Sequence, residues 1–305
     1  MLSLSTAFNC AQARSWKKLL AETGKLGFSA LELNVEIPSS WMKDIVSAVE
    51  KGRIIISSLH NYCPALENIP EGRTIYSGYH LTAEDDEERR QAVENTLVTI
   101  DWAARVGARA VVIHSGEVVT EPSGREFFKY IMQFGHEGKL YLNYVQAIRD
   151  DRKRQSPRFR ENLFRSLDAV LPRAIEKNIC LGLENRFFLH EIPDVEEVPL
   201  LLERYPDRHV GYWHDTGHAE VFVRQGWIPR HTDYLQAAGD RIIGFHLHDL
   251  RKLTDHFAPG SGDFDFSIIT PFVTEKTIKV VEAHARSTSA EVRASIAFLK
   301  EKGIS

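Results

Sequence analysis

The sequence predicts an α/β protein built as a single closed (β/α)8 barrel of the TIM type, and three observations carry that prediction. Short apolar runs of strand length alternate with longer segments of helical period eight times along the chain. The runs are near-continuous in Val, Ile and Leu, as expected of strands buried on both faces of a parallel sheet. No Gly-rich G-x-G-x-x-G follows the first run, which removes the usual dinucleotide-binding open sheet. Eight β/α units in one chain, with no linker to divide them, argue for closure into one domain over residues 1–305. An extended loop and helical insertion after the fourth strand, at about 115–157, interrupts the alternation.

Each element has its own signal. Residues 2–8 form the first strand, and a helix over 15–26 follows, with Gly27 placed to end it. Strand 30–34 and helix 41–50 come next, then a run of Ile and Ser over 53–59 closed by His60. The acidic stretch 84–88 opens a helix where carboxylates meet the positive dipole end. Val93, Leu97, Ile100 and Ala104 line one face of that helix. Strand 110–113 ends at His114. In the insertion, the cluster Arg149-Asp150-Asp151-Arg152-Lys153-Arg154 fits either a solvated helix face or a lid whose arginines meet an anionic substrate. Alternation resumes with helix 159–177, strand 179–183, helix 195–204, strand 210–213, a helical segment near Tyr234 and strand 242–245. A loop with Gly260-Ser261-Gly262 leads to a short helix; strand 278–281 and helix 290–300, with Val292, Ile296 and Leu299 on one face, close the chain.

Composition excludes several classes of function. The 305 residues are 43% hydrophobic and 26% charged, an ordinary globular balance. A net charge of -4 leaves no basic footprint for nucleic acid, and no apolar stretch approaches the roughly 20 residues needed to span a bilayer. Cys10, Cys63 and Cys180 lie far apart without CxxC spacing, so neither a disulfide framework nor a thiolate metal site is expected. The N-terminus lacks a basic n-region, and a reduced, cytoplasmic location is the expectation. The expected partner is a small-molecule substrate, phosphorylated or not; a homo-oligomer is compatible with the chain.

Barrel enzymes carry their chemistry at the carboxyl ends of the strands. Here those positions hold His60, His114, Glu184, Asp215 with His218, His246 and Glu282. A lone His at a strand end is usually a hydrogen-bonded structural residue. Seven ionisable groups at one barrel mouth would instead repel one another and bear a heavy desolvation cost. A divalent cation of intermediate hardness, Mn²⁺, Zn²⁺, Co²⁺ or Fe²⁺, suits their oxygen and nitrogen donors.

Glu184 in LENR, Asp215 and His218 in HDTGH, His246 in HLHD and Glu282 in VVEAH stand in an order that resembles the xylose isomerase-like TIM-barrel superfamily. Sugar and sugar-phosphate isomerases and epimerases, polyol dehydratases and endonuclease IV-type hydrolases make up that group. The resemblance implies that Glu184, Asp215, His246 and Glu282 hold one shared metal, with His218 touching substrate or a second metal. In the isomerase branch, Glu184 and Glu282 would move a proton through a metal-bound enediolate. Arg186 would either hold a hydroxyl or phosphate oxygen or play a structural part. In the hydrolase branch, two or more metals would also engage His60, His114 and, from Asp255-His256, His256. That branch cleaves a phosphoester or amide bond with a bound hydroxide. Asp255 and His256 are adjacent where the hydrolases carry Asp-x-His, a departure from their pattern. His248 stands where many isomerase relatives carry Lys, and would donate to substrate or hydrogen-bond Asp249. In the segment His190-Glu191, seven residues past Glu184, Glu191 would either bring a further acid into the mouth or, the favoured reading, face water. The isomerase or epimerase reading leads, with the multinuclear metallohydrolase as its alternative.

Overall fold

The computed structural model describes residues 1–305, except for the side chains of Arg125 and Met132. Eight parallel strands form its centre: β1 (Leu2–Ser5), β2 (Ala30–Leu33), β3 (Ile55–His60), β4 (Ala110–Ile113), β5 (Cys180–Glu184), β6 (Val210–Asp215), β7 (Ile242–Leu247) and β8 (Ile278–Val281). Each pairs with the next, and β1 pairs with β8 through Leu2–Lys279, Ser3–Val280 and Leu4–Val281, which closes the barrel. The expected (β/α)8 architecture is the one observed.

Helices α1 (Trp16–Leu26), α2 (Met42–Glu50), α3 (Asp86–Arg105), α4 (Gly124–Phe134), α5 (Gly138–Lys177), α6 (Glu197–Arg204), α7 (Thr216–Arg224), α8 (Thr232–Ala238) and α9 (Ser289–Glu301) surround it. Local chemistry sets their ends. The Ser15 hydroxyl accepts from the Lys18 N–H at 3.3 Å to start α1, and Gly27 takes φ 92° to stop it. Leu19 and Leu26 on its inner face are buried, each worth on the order of 1.5–3 kcal/mol. Thr288 and Glu291 form a reciprocal capping box at the start of α9.

The insertion is more regular than its sequence suggests. A capping box of Ser123 and Glu126 opens α4, and the 40-residue α5 begins inside the insertion and runs through Pro157 and Pro172. Proline removes an N–H and crowds the preceding turn, so periodicity stops there in a sequence reading. Tertiary burial of Val145, Ile148, Phe159 and Leu163 carries the helix across. The mixed-charge cluster is half a solvated face: Asp150, Lys153 and Arg154 are exposed, while the other three residues are tied inward. Arg152 is buried against Glu197 (2.6 Å) and Asp194, Asp151 accepts from the Glu121 N–H at 2.6 Å, and Arg149 donates to the Trp227 carbonyl.

Two further departures lie near the barrel mouth. Helix α7 starts directly on β6, with the Asp215 carboxylate accepting from the His218 N–H at 2.7 Å. After β7 a hairpin of Asp249–Arg251 and Thr254–Phe257 is followed by 3₁₀ turns, Phe266–Ile268 and Thr270–Phe272, where a short helix was expected. Pro271, inside the second turn, cannot continue an α-helical ladder.

Candidate metal centre

Strand period two decides which residues meet inside the barrel. Glu32 and Ser58 are register partners on β2 and β3, as are Asp215 and His246 on β6 and β7, and His246 and Val280 on β7 and β8. Below them Trp213 fills the interior with Ala110, Val112, Ile278 and Val280. Gly182 and Gly244 make room for its indole: a Cβ on Gly244 would stand 2.3 Å from the Trp213 ring. The Trp213 and His246 rings meet edge-on at 5.2 Å, so a rigid aromatic floor supports the site.

On that floor Glu184 ends β5, Asp215 ends β6, His246 lies within β7 and Glu282 directly follows β8. One ligand atom from each of the four lies within 4.8 Å of all the others. His246 Nδ1 is 2.6 Å from Glu184 Oε1, 3.1 Å from Glu282 Oε2 and 3.8 Å from Asp215 Oδ2. All four side chains are buried. Burial alone would lower the His246 imidazole; the carboxylates of Glu282, Glu32 and Glu184 outweigh it and push it well up. Burial would likewise raise the Glu184 and Glu282 carboxyls. His246, joined by Arg186 and His114 at Glu184 and by His256 at Glu282, holds both well below the usual range. An imidazole proton thus balances three buried carboxylates, a demand that a divalent cation meets with two charges. Donor chemistry and charge both fit one ion of the intermediate class.

Glu32 is a site residue that strand-end reasoning missed. Its fully buried carboxylate accepts from His246 Nε2 at 3.0 and 3.2 Å and from Ser58 Oγ at 2.8 Å. That contact turns His246 Nδ1 toward the other three acids, the arrangement that orients metal-binding histidines. The signal was present: an acid in the middle of the Ala30-Leu31-Glu32-Leu33 run. Asn185 was also missed. Its side chain accepts from Tyr212 Oη (2.8 Å) and the Asp215 N–H (2.7 Å), while its carbonyl faces His218 Nδ1 at 3.1 Å. A donated Nδ1–H leaves His218 Nε2 as an acceptor, with Asp255 3.7 Å away.

The remaining predicted residues form two flanks. On the first, His114 Nε2 lies 2.8 Å from Glu184 Oε2, and His60 packs edge-on against His114 at 4.3 Å. Burial and then His114 push His60 down to about 4, leaving it neutral, and its Nδ1 has no hydrogen-bond partner among the described residues. Arg186 is neither exposed nor free: its Nη1 donates to Glu184 Oε2 at 2.7 Å and touches His114 Nε2, while Nε reaches Glu191 at 3.3 Å. A permanent cation therefore stands beside the Glu184–His114 pair, in contact with both.

The second flank brings together Asp215, His218, His248 and His256, with His256, Glu282 and the unpredicted His284 as an overlapping group. His248 does not pair with Asp249. Its Nε2 faces Asp215 at 2.9 Å and its Nδ1 accepts from the His256 N–H at 3.0 Å. Asp249 instead accepts backbone N–H groups of Leu250, Gly260, Gly262 and Phe264, which shape the loop. Asp255 reaches His256 Nδ1 at 3.0 Å and His218 Nε2 at 3.7 Å. Against burial, Asp255 and Glu282 push His256 up to about 10. Glu191, expected to face water, is tied to Arg186 and to the Phe188 N–H at 2.8 Å. Among the described residues no helix is long and apolar enough to cross a membrane.

Known proteins share this architecture. An uncharacterized protein of Sinorhizobium fredii is 28% identical over 186 residues, 61% of this chain and 49% of that protein. The chain thus spans about half the length of this curated relative. Among solved structures, a D-psicose 3-epimerase from Clostridium cellulolyticum, crystallised with D-tagatose, is similar at TM-score 0.69 and 13% identity, covering 100% of this chain and 99% of that one. The 3-keto-D-glucoside 4-epimerase of E. coli is similar at TM-score 0.66 and 12% identity, covering 98% of each. A Thermus thermophilus protein soaked with ZnCl2 is similar at TM-score 0.62 and 21% identity, covering 99% and 97%. At these identities the likeness is one of fold. The family model of the xylose isomerase-like TIM barrel matches residues 20–302, nearly the whole barrel, and the chain belongs to that family.

Proposed function

We propose that the protein is a divalent-metal-dependent epimerase or isomerase acting on a small polyhydroxylated molecule. The observation that carries this reading is the quartet Glu184, Asp215, His246 and Glu282, with the Arg186 guanidinium in contact with both Glu184 and His114 beside it. His60, Glu184 and His246 also group closely enough to hold an ion, so the single-ion reading rests on metal stoichiometry. A cation bridging Glu184 and His114 would compete with the Arg186 guanidinium that touches both, which counts against an ion at that pair. The names of the structural neighbours, sugar epimerases, point the same way.

In this reading Glu184, Asp215, His246 and Glu282 hold the ion, which supplies the Lewis acidity that makes a C–H beside a carbonyl acidic. Glu184 and Glu282 approach from β5 and β8, three strands apart around the barrel. Both are held ionised, one by Arg186, His114 and His246 and the other by His246 and His256, so each is ready as a base. One takes the proton from the substrate carbon while the C–H electron pair moves into a carbon–carbon double bond and the carbonyl oxygen gains charge. Because both carboxylates start ionised, the opposite one must first gain a proton, from water or, at Glu282, from the neighbouring His256 imidazolium. It then delivers that proton to the opposite face, and the configuration inverts. Arg186 and His114 fix the Glu184 carboxylate, and His218 Nε2 accepts a hydrogen bond from a substrate hydroxyl.

The second grouping, Asp215, His218, His248 and His256, favours the alternative of a multinuclear metallohydrolase for a small phosphoester or amide. Metal stoichiometry separates the two. Elemental analysis of protein purified without chelator should give one divalent ion per chain; two or more tightly bound ions would overturn the single-ion epimerase. Ketohexoses incubated in D2O with the Mn²⁺- or Co²⁺-loaded protein should gain deuterium beside the carbonyl. Glu184→Gln and Glu282→Gln should each slow that exchange by roughly 10²–10⁴-fold.

A further inference from the structure

Beside the metal centre lies a cavity of about 370 Å³ that the proposed chemistry does not use. The segment 72–80, the insertion and the stretch after β5 enclose it. Its inner wall is His114 and Arg186, each in direct contact with the Glu184 carboxylate. None of the four quartet residues lines it, so a group held there would lie beyond Arg186 and His114 from the reacting carbon. A space of this size falls within the ~300–1,000 Å³ of ordinary ligand pockets.

We propose that this cavity is a subsite for a second, uncharged sugar ring, so that the substrate is a glycosylated sugar rather than a free monosaccharide or a sugar phosphate. The assignment of the reacting unit rests on the epimerase reading above. Two features argue for an uncharged ring. Phe128 and Phe188 meet edge-on at 5.4 Å on the wall, and Phe128 and Tyr76 remain 39% and 44% exposed. Solvent-exposed aromatic faces beside polar groups suit the C–H face of a pyranose.

The second feature is charge. Glu117 and Glu191 both line the cavity, where they would repel a phosphate and accept hydroxyls. Burial would raise Glu117, yet His190, His80 and Arg73 hold it down at about 2, so it is ionised. The cavity's arginines are already engaged, Arg73 with Glu88 at 2.9 Å and Arg186 with Glu184 and Glu191. Counted with the acids that hold them, Arg73, Arg186 and Lys129 stand against Glu88, Glu184, Glu191 and Glu117, three cations against four carboxylates, which leaves no net positive charge for a phosphate.

Calorimetric titration of the Mn²⁺-loaded full-length protein tests the proposal. The probes are D-fructose, D-fructose 6-phosphate and the free-keto glucosyl-fructoses turanose, maltulose, leucrose and isomaltulose, each followed in parallel by deuterium exchange. At least one disaccharide should bind about tenfold more tightly than fructose and its phosphate, equivalent to about 1.4 kcal/mol. Phe188→Ala and Phe128→Ala should each erase most of that preference; Phe128 is exposed enough to be truncated without unfolding the barrel. Stronger binding of the phosphate, no disaccharide preference, or a preference that survives both substitutions overturns the subsite. A disaccharide preference without deuterium exchange sinks the epimerase reading and leaves the subsite standing. Exchange on fructose without any disaccharide preference does the reverse.

Discussion

Glu32→Gln is the sharpest perturbation of the metal centre, because it changes one atom and touches none of the four ligands. Glu32 is fully buried and receives His246 Nε2 at 3.0 Å and Ser58 Oγ at 2.8 Å. Gln keeps the shape and an acceptor for one of these donors but loses the negative charge that holds the His246 ring. Loss of such an orienting partner commonly weakens metal affinity 10–100-fold, or about 1.4–2.8 kcal/mol. Competition with a chromophoric chelator for Zn²⁺ and Mn²⁺ reads this directly, without any substrate. Ser58→Ala, which removes only the hydrogen bond to Glu32, should fall between wild type and Glu32→Gln. Circular dichroism melting separates orientation from folding: a purely structural Glu32 would lower the melting temperature and leave affinity unchanged. A folded Glu32→Gln protein with metal affinity within twofold of wild type would refute the reasoning.

Three other outcomes follow from the packing and electrostatics. Arg152→Leu strips buried Glu197 of its 2.6 Å partner and leaves only Arg160 at 3.8 Å, and should cost up to about 3–5 kcal/mol in urea denaturation; a loss below about 1 kcal/mol would show that the pair contributes little. The folded value of Glu117, about 2, lies below its ordinary 4.5, so its contribution is present above pH 4.5 and fades as pH falls toward 2. Glu117→Gln should flatten stability against pH in that window, and an unchanged acid-unfolding profile would contradict the His190–Glu117 contact. Burial pushes the Cys10 thiol up to about 12 and raises Cys63 and Cys180 too. At pH 8 the three thiols should react slowly with a disulfide reagent in native protein and at once in guanidinium; rapid native modification of Cys63 would mean that the barrel opens there.

Much of the site was legible before the fold was known, and its gaps have physical causes. Glu184, Asp215, His246 and Glu282 were readable because each stands at or just past an apolar run, where a parallel barrel directs side chains to its mouth. Glu32 was hidden because it lies within such a run, and only the pairing of β2 with β3 and its approach to His246 reveal its use. His248 was open between substrate and Asp249, since sequence neighbours on a strand point to opposite faces; its partner proved to be Asp215 on β6. The Arg149–Arg154 cluster resembled a solvated face because local composition cannot record that Asp194 and Glu197 fold back onto Arg152.

By itself the sequence determined the barrel, its strand order and which acids and imidazoles stand at the strand ends. Those depend on hydrophobic period and on the direction of side chains along a strand, both local properties. Only the tertiary structure decided that Arg186 touches both Glu184 and His114, that Glu32 backs His246, and that the insertion helps enclose a cavity beside the site. Each of these is a contact between residues far apart in the barrel or the chain, or a choice of rotamer. Closure of the sheet creates such contacts, and no local pattern encodes them.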